Sequence, residues 1–420
     1  MSTAPADDAA ASGEKPAAHA LFFPFPAQGH VTPALHLARL LHVRGGVRVT
    51  FVHTDRNRRR ILRSRGPGAL AGAPPGFVFA SVPDGLPPPP PSGEVDDTRR
   101  DTPQDMDALL SSIMTSAPTH LRKLLDDTAA AGAPATCVVS DVESVLRATA
   151  VAGVPALSNG YLDTVIDWAP GMPADMRLRD FLSFIRTTDP DDAVLRRVIG
   201  LMDAVRTAAS AVVLNTFDEL EREAVAAVSA LLPPPAPIYT VGPLPLLAEH
   251  IVAGCPLDAV AAASANFTEE DDGCLAWLDS KRPRSVVYAN FGSITVLTAQ
   301  QVEEFAWGLA NSGYEFLLVI RDDGHDGGGF TPEFAEETKG RGYVTSWCSQ
   351  AAVLRHEAVG AFLTHCGWNS TLESMCCGVP MMCWPFGADQ QRSTAGSPAR
   401  SGASALRSAA MSAERRWRGL

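Results

Sequence analysis

The sequence predicts an α/β protein with two domains. Short apolar runs of strand length alternate along the chain with segments whose apolar residues recur at helical spacing. This pattern is typical of strand–helix–strand units with parallel strands. Two such units are clear, one at residues 20–52 and the other at residues 359–384. The chain has 420 residues, which is enough for two domains that each bury a core of their own.

The first unit contains the first candidate functional residue, His30. Residues 20–23 and 47–52 predict two strands, and between them Thr32 is expected to cap a helix whose first residue is Pro33. His30 then lies in the loop after the first strand, at the sheet edge where open α/β folds bind ligands. From its position alone, a loop histidine is more often a solvated or turn-capping residue than a catalytic one.

The middle of the chain continues the same pattern. Residues 136–140 predict a strand that ends at Asp141, which on the sequence alone is as readily a helix cap as a functional acid. Residues 211–215 predict a further strand, and residues 218–231 predict a helix. From residue 233 the sequence becomes Pro-rich and then weakly patterned to about residue 266, which indicates an inter-domain linker.

The second domain is predicted to contain a strand at residues 286–291, followed by a corner of small residues that includes Ser293. Thr298 and Gln301 have the spacing of a capping box, which predicts the start of a helix. Residues 316–320 predict the next strand. This order of elements again indicates parallel strands joined by helices.

A polar corner between a strand and a helix is the second candidate functional feature. Residues 359–364 predict a short buried strand, and residues 365–369 (HCGWN) form a polar turn after it. Ser370 and Glu373 have the S-x-x-E spacing of a capping box, so a helix is expected to begin here. Free amide groups and the positive end of the helix dipole favour a phosphate group at such a corner. Capping boxes also start many helices that bind nothing, and this plainer interpretation applies to these two residues taken alone.

The whole stretch from Trp347 to Gln390 resembles, almost position for position, the signature box of plant secondary-product glycosyltransferases that use UDP-sugars. The F-P-x-Q-G-H pattern that ends at His30 likewise matches the catalytic histidine motif of this family. Residues 158–192 resemble the acceptor-side region of the subgroup that glucosylates cyanohydrins, terpenoid and iridoid alcohols, and cytokinin hydroxyls. The resemblance implies the plant family 1 UDP-glycosyltransferases and their GT-B architecture, in which two Rossmann-like α/β domains face each other across a cleft.

The resemblance also implies a role for each matching residue. His30 would act as the general base on the acceptor hydroxyl, and Asp141 would hold the other nitrogen of its imidazole ring. The implied donor contacts are stacking of Trp347 on uracil, hydrogen bonds of Gln350 and Glu373 with the ribose, contacts of Ser293, His365, Asn369 and Ser370 with the diphosphate, and contacts of Trp368, Asp389 and Gln390 with the sugar hydroxyls. The implied reaction inverts the anomeric carbon and uses UDP-glucose as its donor substrate, with no cofactor and no metal ion.

On this basis we expect five segments. They are a disordered lead-in at 1–18, an N-terminal acceptor-binding domain at 19–247, a linker at 248–270, a C-terminal UDP-sugar-binding domain at 271–391, and an atypical tail at 392–420. The tail is rich in Ala, Ser, Gly and Arg where relatives continue with further helices, and relatives also carry additional structure before residue 158. We therefore expect a truncated or mis-spliced gene product.

Composition limits the partners and the compartment. The formal net charge of −12 argues against a nucleic-acid partner, which requires a basic face. No apolar run approaches ~18 residues and the N-terminus has no apolar signal core, so neither a membrane span nor secretion is expected. Eight cysteines without paired metal-binding spacing fit reduced thiols in the cytoplasm. We expect a monomer that binds a UDP-sugar and a small hydroxylated acceptor.

Two alternative functions are left open at this point. One is a catalytically impaired remnant that binds UDP-sugar without turnover, which the departures from the family pattern favour and the intact His30 and Asp141 oppose. The other is a dinucleotide-dependent oxidoreductase, which shares the α/β pattern. That class requires a G-x-G-x-x-G after its first strand, and this sequence lacks one there.

Overall fold

The computed structural model describes residues 18–85, 103–141, 163–168, 170–172, 176–180, 191–232, 236–252, 254–255, 267–321 and 330–385. Within them the strands are β1 His19–Phe23, β2 Arg48–Thr54, β3 Phe77–Val82, β4 Cys137–Ser140, β5 Val212–Leu214, β6 Ile238–Thr240, β7 Val286–Asn290, β8 Glu315–Val319, β9 Gly342–Thr345, β10 Val359–Thr364 and β11 Met381–Cys383. The helices are α1 Gln28–Gly45, α2 Asp55–Arg65, α3 Pro103–Ala130, α4 Ala193–Ala208, α5 Asp218–Leu231, α6 Leu244–Val252, α7 Gly273–Asp279, α8 Ala299–Asn311, α9 Pro332–Glu337, α10 Gln350–Arg355 and α11 Trp368–Cys377. None of these helices has both the length and the apolar character needed to cross a membrane.

The first sheet is parallel, with its four strands in the order β3-β2-β1-β4. β1 is buried along its whole length, as expected for an apolar strand that is covered on both faces. The rings of Phe22 and Phe51 stack in this core with their centroids 6.1 Å apart. The register places Phe23 beside Ser140, so Asp141 lies next to the residue that follows β1. The strand ends therefore bring the two segments after β1 and β4 together.

The second sheet has five parallel strands in the order β11-β10-β7-β8-β9, with β7 at its centre. The rings of Tyr288 and Phe362 stack within its core, with centroids 4.8 Å apart. The strand–helix–strand unit predicted at residues 359–384 is confirmed, because β10 and β11 are parallel and α11 joins them. The predicted capping box is also confirmed, since Thr298 and Gln301 make both reciprocal hydrogen bonds at the start of α8.

The start of α1 differs from the prediction. The helix begins at Gln28, after the extended residue Ala27, and Thr32 does not cap it. Thr32 and Pro33 lie inside the helix, so His30 is in the first helical turn and not in a preceding loop. The backbone amide of His30 donates to the Ala27 carbonyl, which shows that helical hydrogen bonding begins at the tight turn after β1. The Thr-Pro pair is only a local preference, and the turn that precedes it decides where the helix begins.

The segment predicted to be a weakly patterned linker is partly regular. β6 pairs in parallel with β5, and α6 then lies against both α1 and α11. The predicted domain boundary after Leu247 falls inside α6, in which Leu244 and Leu247 are buried. Proline in the first helical turn is compatible with a helix, so the Pro-rich composition concealed this element. Residues 256–266 of the predicted linker lie outside the described residues.

Candidate functional site

A cavity of about 2180 Å³ opens between the two sheets. Its lining includes the carboxyl ends of β4, β5 and β7 and the turn after β10, which is the edge where parallel α/β sheets bind ligands. Ten of the residues singled out from the sequence line it, namely His30, Asp141, Ser293, Trp347, Gln350, His365, Trp368, Asn369, Ser370 and Glu373. The two other predicted site residues, Asp389 and Gln390, lie outside the described residues.

His30 and Asp141 are in direct contact at the cavity wall. The Nδ1 atom of His30 is hydrogen-bonded to a carboxylate oxygen of Asp141, and each side chain is about a quarter exposed, at 24% and 27%. A neutral imidazole that donates from Nδ1 is unprotonated at Nε2, so Nε2 can accept a proton. The ring of Phe25 packs against the imidazole at a centroid distance of 5.2 Å, nearly edge to face. A general base and the acid that orients it require this kind of contact, which agrees with the roles predicted for the two residues.

The loop that leads to His30 is held by a buried asparagine that sequence reasoning missed. Asn57 lies in α2 and is 3% exposed, so its side-chain amide requires a partner inside the protein. Its Nδ2 atom donates to the Pro26 carbonyl at 2.7 Å. Its backbone amide donates to the hydroxyl of Thr54, which caps α2. α2 thereby fixes the turn from which the first residues of α1 start.

The start of α11 corrects the second helix prediction. The helix begins at Trp368 after an N-cap at Gly367 that makes no side-chain cap, so Ser370 and Glu373 do not form a capping box. Cys366 has a φ of 67°, a left-handed conformation that turns the chain out of β10 two residues before the helix starts. Ser370 is therefore already inside the first turn, where its hydroxyl is not placed to cap the helix.

His365 sits in a narrow space between two glycines at the same corner. A Cβ atom added at Gly292 would lie 2.4 Å from the imidazole, and one added at Gly367 would lie 2.6 Å from it, so both positions require glycine. Burial lowers the pKa of His365 to about 4, and the charge of Arg321 acts in the same direction. The ring is therefore neutral near pH 7, and its buried Nδ1 atom has no hydrogen-bond partner among the described residues. A phosphate accepts hydrogen bonds, so the Nδ1 atom fits a phosphate ligand in the tautomer that carries the ring proton on Nδ1.

Gln350 connects the two side chains that the capping prediction had paired. Its Nε2 atom donates to the Ser370 hydroxyl at 2.9 Å and to the Glu373 carboxylate at 2.8 Å. Burial raises the pKa of Glu373, while the hydrogen bond from Gln350 opposes that shift. A carboxylate held in this way can accept hydrogen bonds from a diol such as a ribose.

Asn290 orients Gln350 and is a further residue that sequence reasoning missed. It is 6% exposed at the end of β7, and its Oδ1 atom accepts a hydrogen bond from the Gly292 amide at 2.9 Å. Because the Gly292 amide can only donate, Nδ2 of Asn290 must face the other way, where it donates to the Tyr288 hydroxyl at 2.7 Å and to Oε1 of Gln350 at 3.2 Å. The signal that could have identified Asn290 is its amide side chain at the end of an otherwise apolar strand.

Trp347 is more enclosed than a stacking surface requires. Its side chain is only 8% exposed, although it lines the cavity, and within the part of the chain that the structure describes the buried indole N–H has no hydrogen-bond partner. The Trp347 carbonyl accepts a hydrogen bond from the Asp271 amide at 3.0 Å, which fixes the backbone beneath the ring. The contact of Trp347 with uracil stays a prediction.

The first two residues of α11 contact the opposite side of the cavity. The indole N–H of Trp368 donates to the carbonyl of Asn215 at 2.9 Å. The side-chain amide of Asn369 donates to the carbonyl of Gly29, the residue before His30. Trp368 was predicted to contact the sugar, and the structure shows that its only indole N–H is already used for Asn215.

Comparison with known proteins decides the family. Residues 211–416 match the family model described as UDP-glucoronosyl and UDP-glucosyl transferase. The chain is 45% identical to 7-deoxyloganetin glucosyltransferase of Gardenia jasminoides, over 89% of this chain and 82% of the relative. The chain belongs to the plant UDP-glycosyltransferases. This UDP-glycosyltransferase is also 44% identical to (R)-mandelonitrile beta-glucosyltransferase of Prunus dulcis, over 91% of this chain and 83% of the relative, which confirms the predicted subgroup.

The fold of this UDP-glycosyltransferase agrees with the expectation drawn from its sequence. The structure of Os79 from O. sativa in complex with UDP matches with a TM-score of 0.67 at 26% identity, over 89% of this chain and 83% of that chain. The two parallel sheets described above correspond to the two Rossmann-like domains of the GT-B fold, and the predicted fold class is confirmed. The domain limits and the roles of individual site residues stay predictions.

Proposed function

We propose that this UDP-glycosyltransferase transfers glucose from UDP-glucose to a hydroxyl group of a small plant secondary metabolite, without a metal ion. The observation that carries the proposal is the position of the His30–Asp141 pair, which faces the same cavity as the N-terminus of α11. The cavity therefore offers a proton acceptor and a phosphate site within one space. The names of the relatives support glucose as the transferred sugar.

The proposed reaction is a single displacement that inverts the anomeric carbon. Nε2 of His30 takes the proton of the acceptor hydroxyl while the acceptor oxygen attacks the anomeric carbon and the bond to the UDP oxygen breaks. Asp141 stabilises the imidazolium that forms, because its carboxylate is hydrogen-bonded to Nδ1. General-base assistance of this kind contributes roughly 10²- to 10⁴-fold to the rate.

The proposed donor site extends along the second sheet. The diphosphate lies at the N-terminus of α11 beside the neutral imidazole of His365, where backbone amides and the helix dipole stabilise the charge that develops on UDP. The ribose is bound by Glu373 and Gln350, whose side chains are already hydrogen-bonded to each other. Uracil lies against the cavity face of Trp347.

The proposed acceptor is small and largely apolar. The first-sheet side of the cavity includes α4 and α5, which contribute aliphatic side chains such as Val205, Leu220 and Val228, and Met176 borders the same space. α5 also brings charged side chains such as Glu219 and Arg222 to the cavity, so these walls fit an acceptor that combines an apolar body with polar groups. The relatives named for 7-deoxyloganetin and (R)-mandelonitrile support an acceptor of this size.

The eight cysteines are free thiols, which supports a reducing compartment such as the cytoplasm.

A transfer assay tests the proposal. The purified chain is incubated with UDP-glucose and a panel of alcohols and phenols that includes (R)-mandelonitrile and 7-deoxyloganetin, and release of UDP and formation of glucoside are measured. We expect turnover with at least one acceptor, and its loss in His30→Ala with UDP affinity retained. UDP binding by the wild-type chain without any turnover would instead support the alternative of a remnant that binds the donor only.

A further inference from the structure

The first turn of α1 contains a carbonyl group that its own helix cannot pair. In an α-helix the amide of residue i donates to the carbonyl of residue i−4, so the carbonyl of Gly29 would pair with the amide of residue 33. That residue is Pro33, which has no N–H and whose ring also crowds the carbonyl four residues before it. The Gly29 carbonyl instead accepts a hydrogen bond from Nδ2 of Asn369, 2.5 Å away.

This hydrogen bond joins the two helices on which the proposed reaction depends. Gly29 directly precedes His30 in α1, and Asn369 is the second residue of α11, whose N-terminus is the proposed diphosphate site. The amide of Asn369 has two N–H groups and one oxygen, so a bond to Gly29 leaves polar atoms that can also contact the donor. The neighbouring bond from Trp368 to the Asn215 carbonyl holds the same helix end against the first-sheet side.

We propose that Pro33 is a positioning residue for sugar transfer. By leaving the Gly29 carbonyl unpaired within α1, it supplies the acceptor that ties α11 to the first turn of α1. The tie sets the distance between His30 and the sugar, and the inference rests on the proposed roles of His30 and α11. Geometry matters strongly here, because a displacement of about 1 Å can lower a rate by roughly 100-fold.

Pro33→Ala separates this role from a merely structural one. Alanine supplies the missing N–H, which restores the helical bond to Gly29 and removes the ring that crowds it. We expect an unchanged or higher Tm together with a kcat that is lower by roughly 10- to 100-fold, while UDP affinity is nearly unchanged. A structural role would move stability and activity in the same direction.

Pro118 offers a matched control. It lies inside α3, is exposed, and does not border the cavity. Pro118→Ala makes the same chemical change within a helix, so we expect a similar effect on Tm and a wild-type kcat. A double-mutant cycle adds a second control, because Pro33→Ala should cost no further activity in an Asn369→Ala background, where the tie is already absent.

Two results would overturn the inference: a wild-type kcat in Pro33→Ala, or an equal loss of kcat with and without Asn369. A separate readout covers the case in which the wild-type chain transfers no sugar, which would contradict the proposed function. With selective ¹⁵N-asparagine labelling, the side-chain amide signal of Asn369 should shift in Pro33→Ala and stay in place in Pro118→Ala. An unshifted signal in both variants would contradict the tie itself.

Discussion

The contact between His30 and Asp141 illustrates how one hydrogen bond decides what a side chain can do. A carboxylate beside Nδ1 favours the tautomer that is unprotonated at Nε2, which is the form that can act as a base. An uncharged acceptor of the same shape gives less support to the imidazolium that forms as the proton is taken. The orientation of the ring and the charge of its partner are therefore separable by substitution.

Asp141→Asn is expected to lower kcat by about 10²- to 10⁴-fold, because the amide can donate to Nδ1 and so stabilises the wrong tautomer. UDP affinity should not change, since Asp141 follows β4 of the first sheet and the proposed donor site lies along the second sheet. Kinetics and UDP titration check both parts. Asp127→Asn, an identical change at an exposed ion pair with Lys123, serves as the control and should leave kcat as in wild type. Equal activity of the two variants would contradict the assigned role.

Asn290 orients Gln350, so its substitution should affect the proposed ribose contacts most. In Asn290→Asp an oxygen faces Oε1 of Gln350, and the resulting repulsion favours a flipped Gln350 that no longer donates to Glu373. We expect UDP to bind about tenfold more weakly, with a smaller loss for 2′,3′-dideoxy-UDP, measured by calorimetry. Tyr288→Phe removes only the neighbouring hydroxyl, so the difference in affinity between UDP and 2′,3′-dideoxy-UDP should stay as in the wild-type chain. Equal losses for both nucleotides would show that Asn290 only supports the fold.

At the scale of helices and strands, the sequence predicts what depends on buried apolar runs. β1, β7 and β10 were found because each is an apolar segment of strand length, and the parallel pairing of β10 with β11 followed from the helix between them. The two helix starts near residues 32 and 370 were wrong for a common reason. In each case a capping signal was present, and the turn at the end of the preceding strand started the helix earlier.

Contacts between elements far apart in the sequence could not be predicted from local patterns. The bond from Asn290 to Gln350 spans 60 positions, and the bond from Asn369 to Gly29 spans 340. Each partner is an ordinary polar residue or a backbone carbonyl, so neither pattern nor composition distinguishes it. The pairing of His30 with Asp141 was expected only because the motif around His30 resembles a known family.

Within β2, His53 is expected to make the first-sheet domain sensitive to acid. It is 2% exposed between aromatic neighbours, and neither ring nitrogen has a partner among the residues that the structure describes. Burial lowers its pKa to about 4 from 6.5. The unfolded chain binds a proton between these values while the folded chain does not. Stability is therefore complete above pH 6.5 and falls as the pH decreases towards 4, by up to about 3 kcal/mol.

His53→Phe tests this linkage, because it removes the proton-binding group and keeps an aromatic ring. The free energy of unfolding is measured with urea at pH 7 and at pH 4.5. Its decrease between these two pH values should be about 2 kcal/mol smaller in His53→Phe than in the wild-type chain. Because each protein is compared with itself at the two pH values, any packing difference between the imidazole and phenyl rings cancels. His250→Gln, at an exposed position in α6, is the control and should show the same decrease in unfolding free energy as the wild-type chain. A decrease in His53→Phe equal to that of the wild-type chain would contradict a buried neutral imidazole at this position.

At the scale of the whole molecule, the proposed sugar transfer requires the two sides of the cavity to keep a fixed separation. The indole N–H of Trp368 contributes to this through its bond to the Asn215 carbonyl, and Oδ1 of Asn215 in turn accepts a hydrogen bond from the amide of Leu244 at the start of α6. α11, the end of β5 and α6 are thus connected through one asparagine. Binding energy gained at α11 can be used to position the acceptor side.

Trp368→Phe removes this single hydrogen bond and keeps an aromatic ring at the start of α11. We expect kcat/KM for the acceptor to fall by roughly tenfold, since the Asn215 carbonyl loses its donor and the two sides of the cavity are less well fixed. Trp307→Phe is the matched control, because Trp307 packs edge to face on Phe334 within the second domain and does not border the cavity. Both variants lose indole packing, so both can lose stability, and only the first should lose acceptor efficiency at a temperature where both are folded. Steady-state kinetics at saturating UDP-glucose measures the difference, and equal kcat/KM values in the two variants would show that the Trp368 bond does not position the acceptor side.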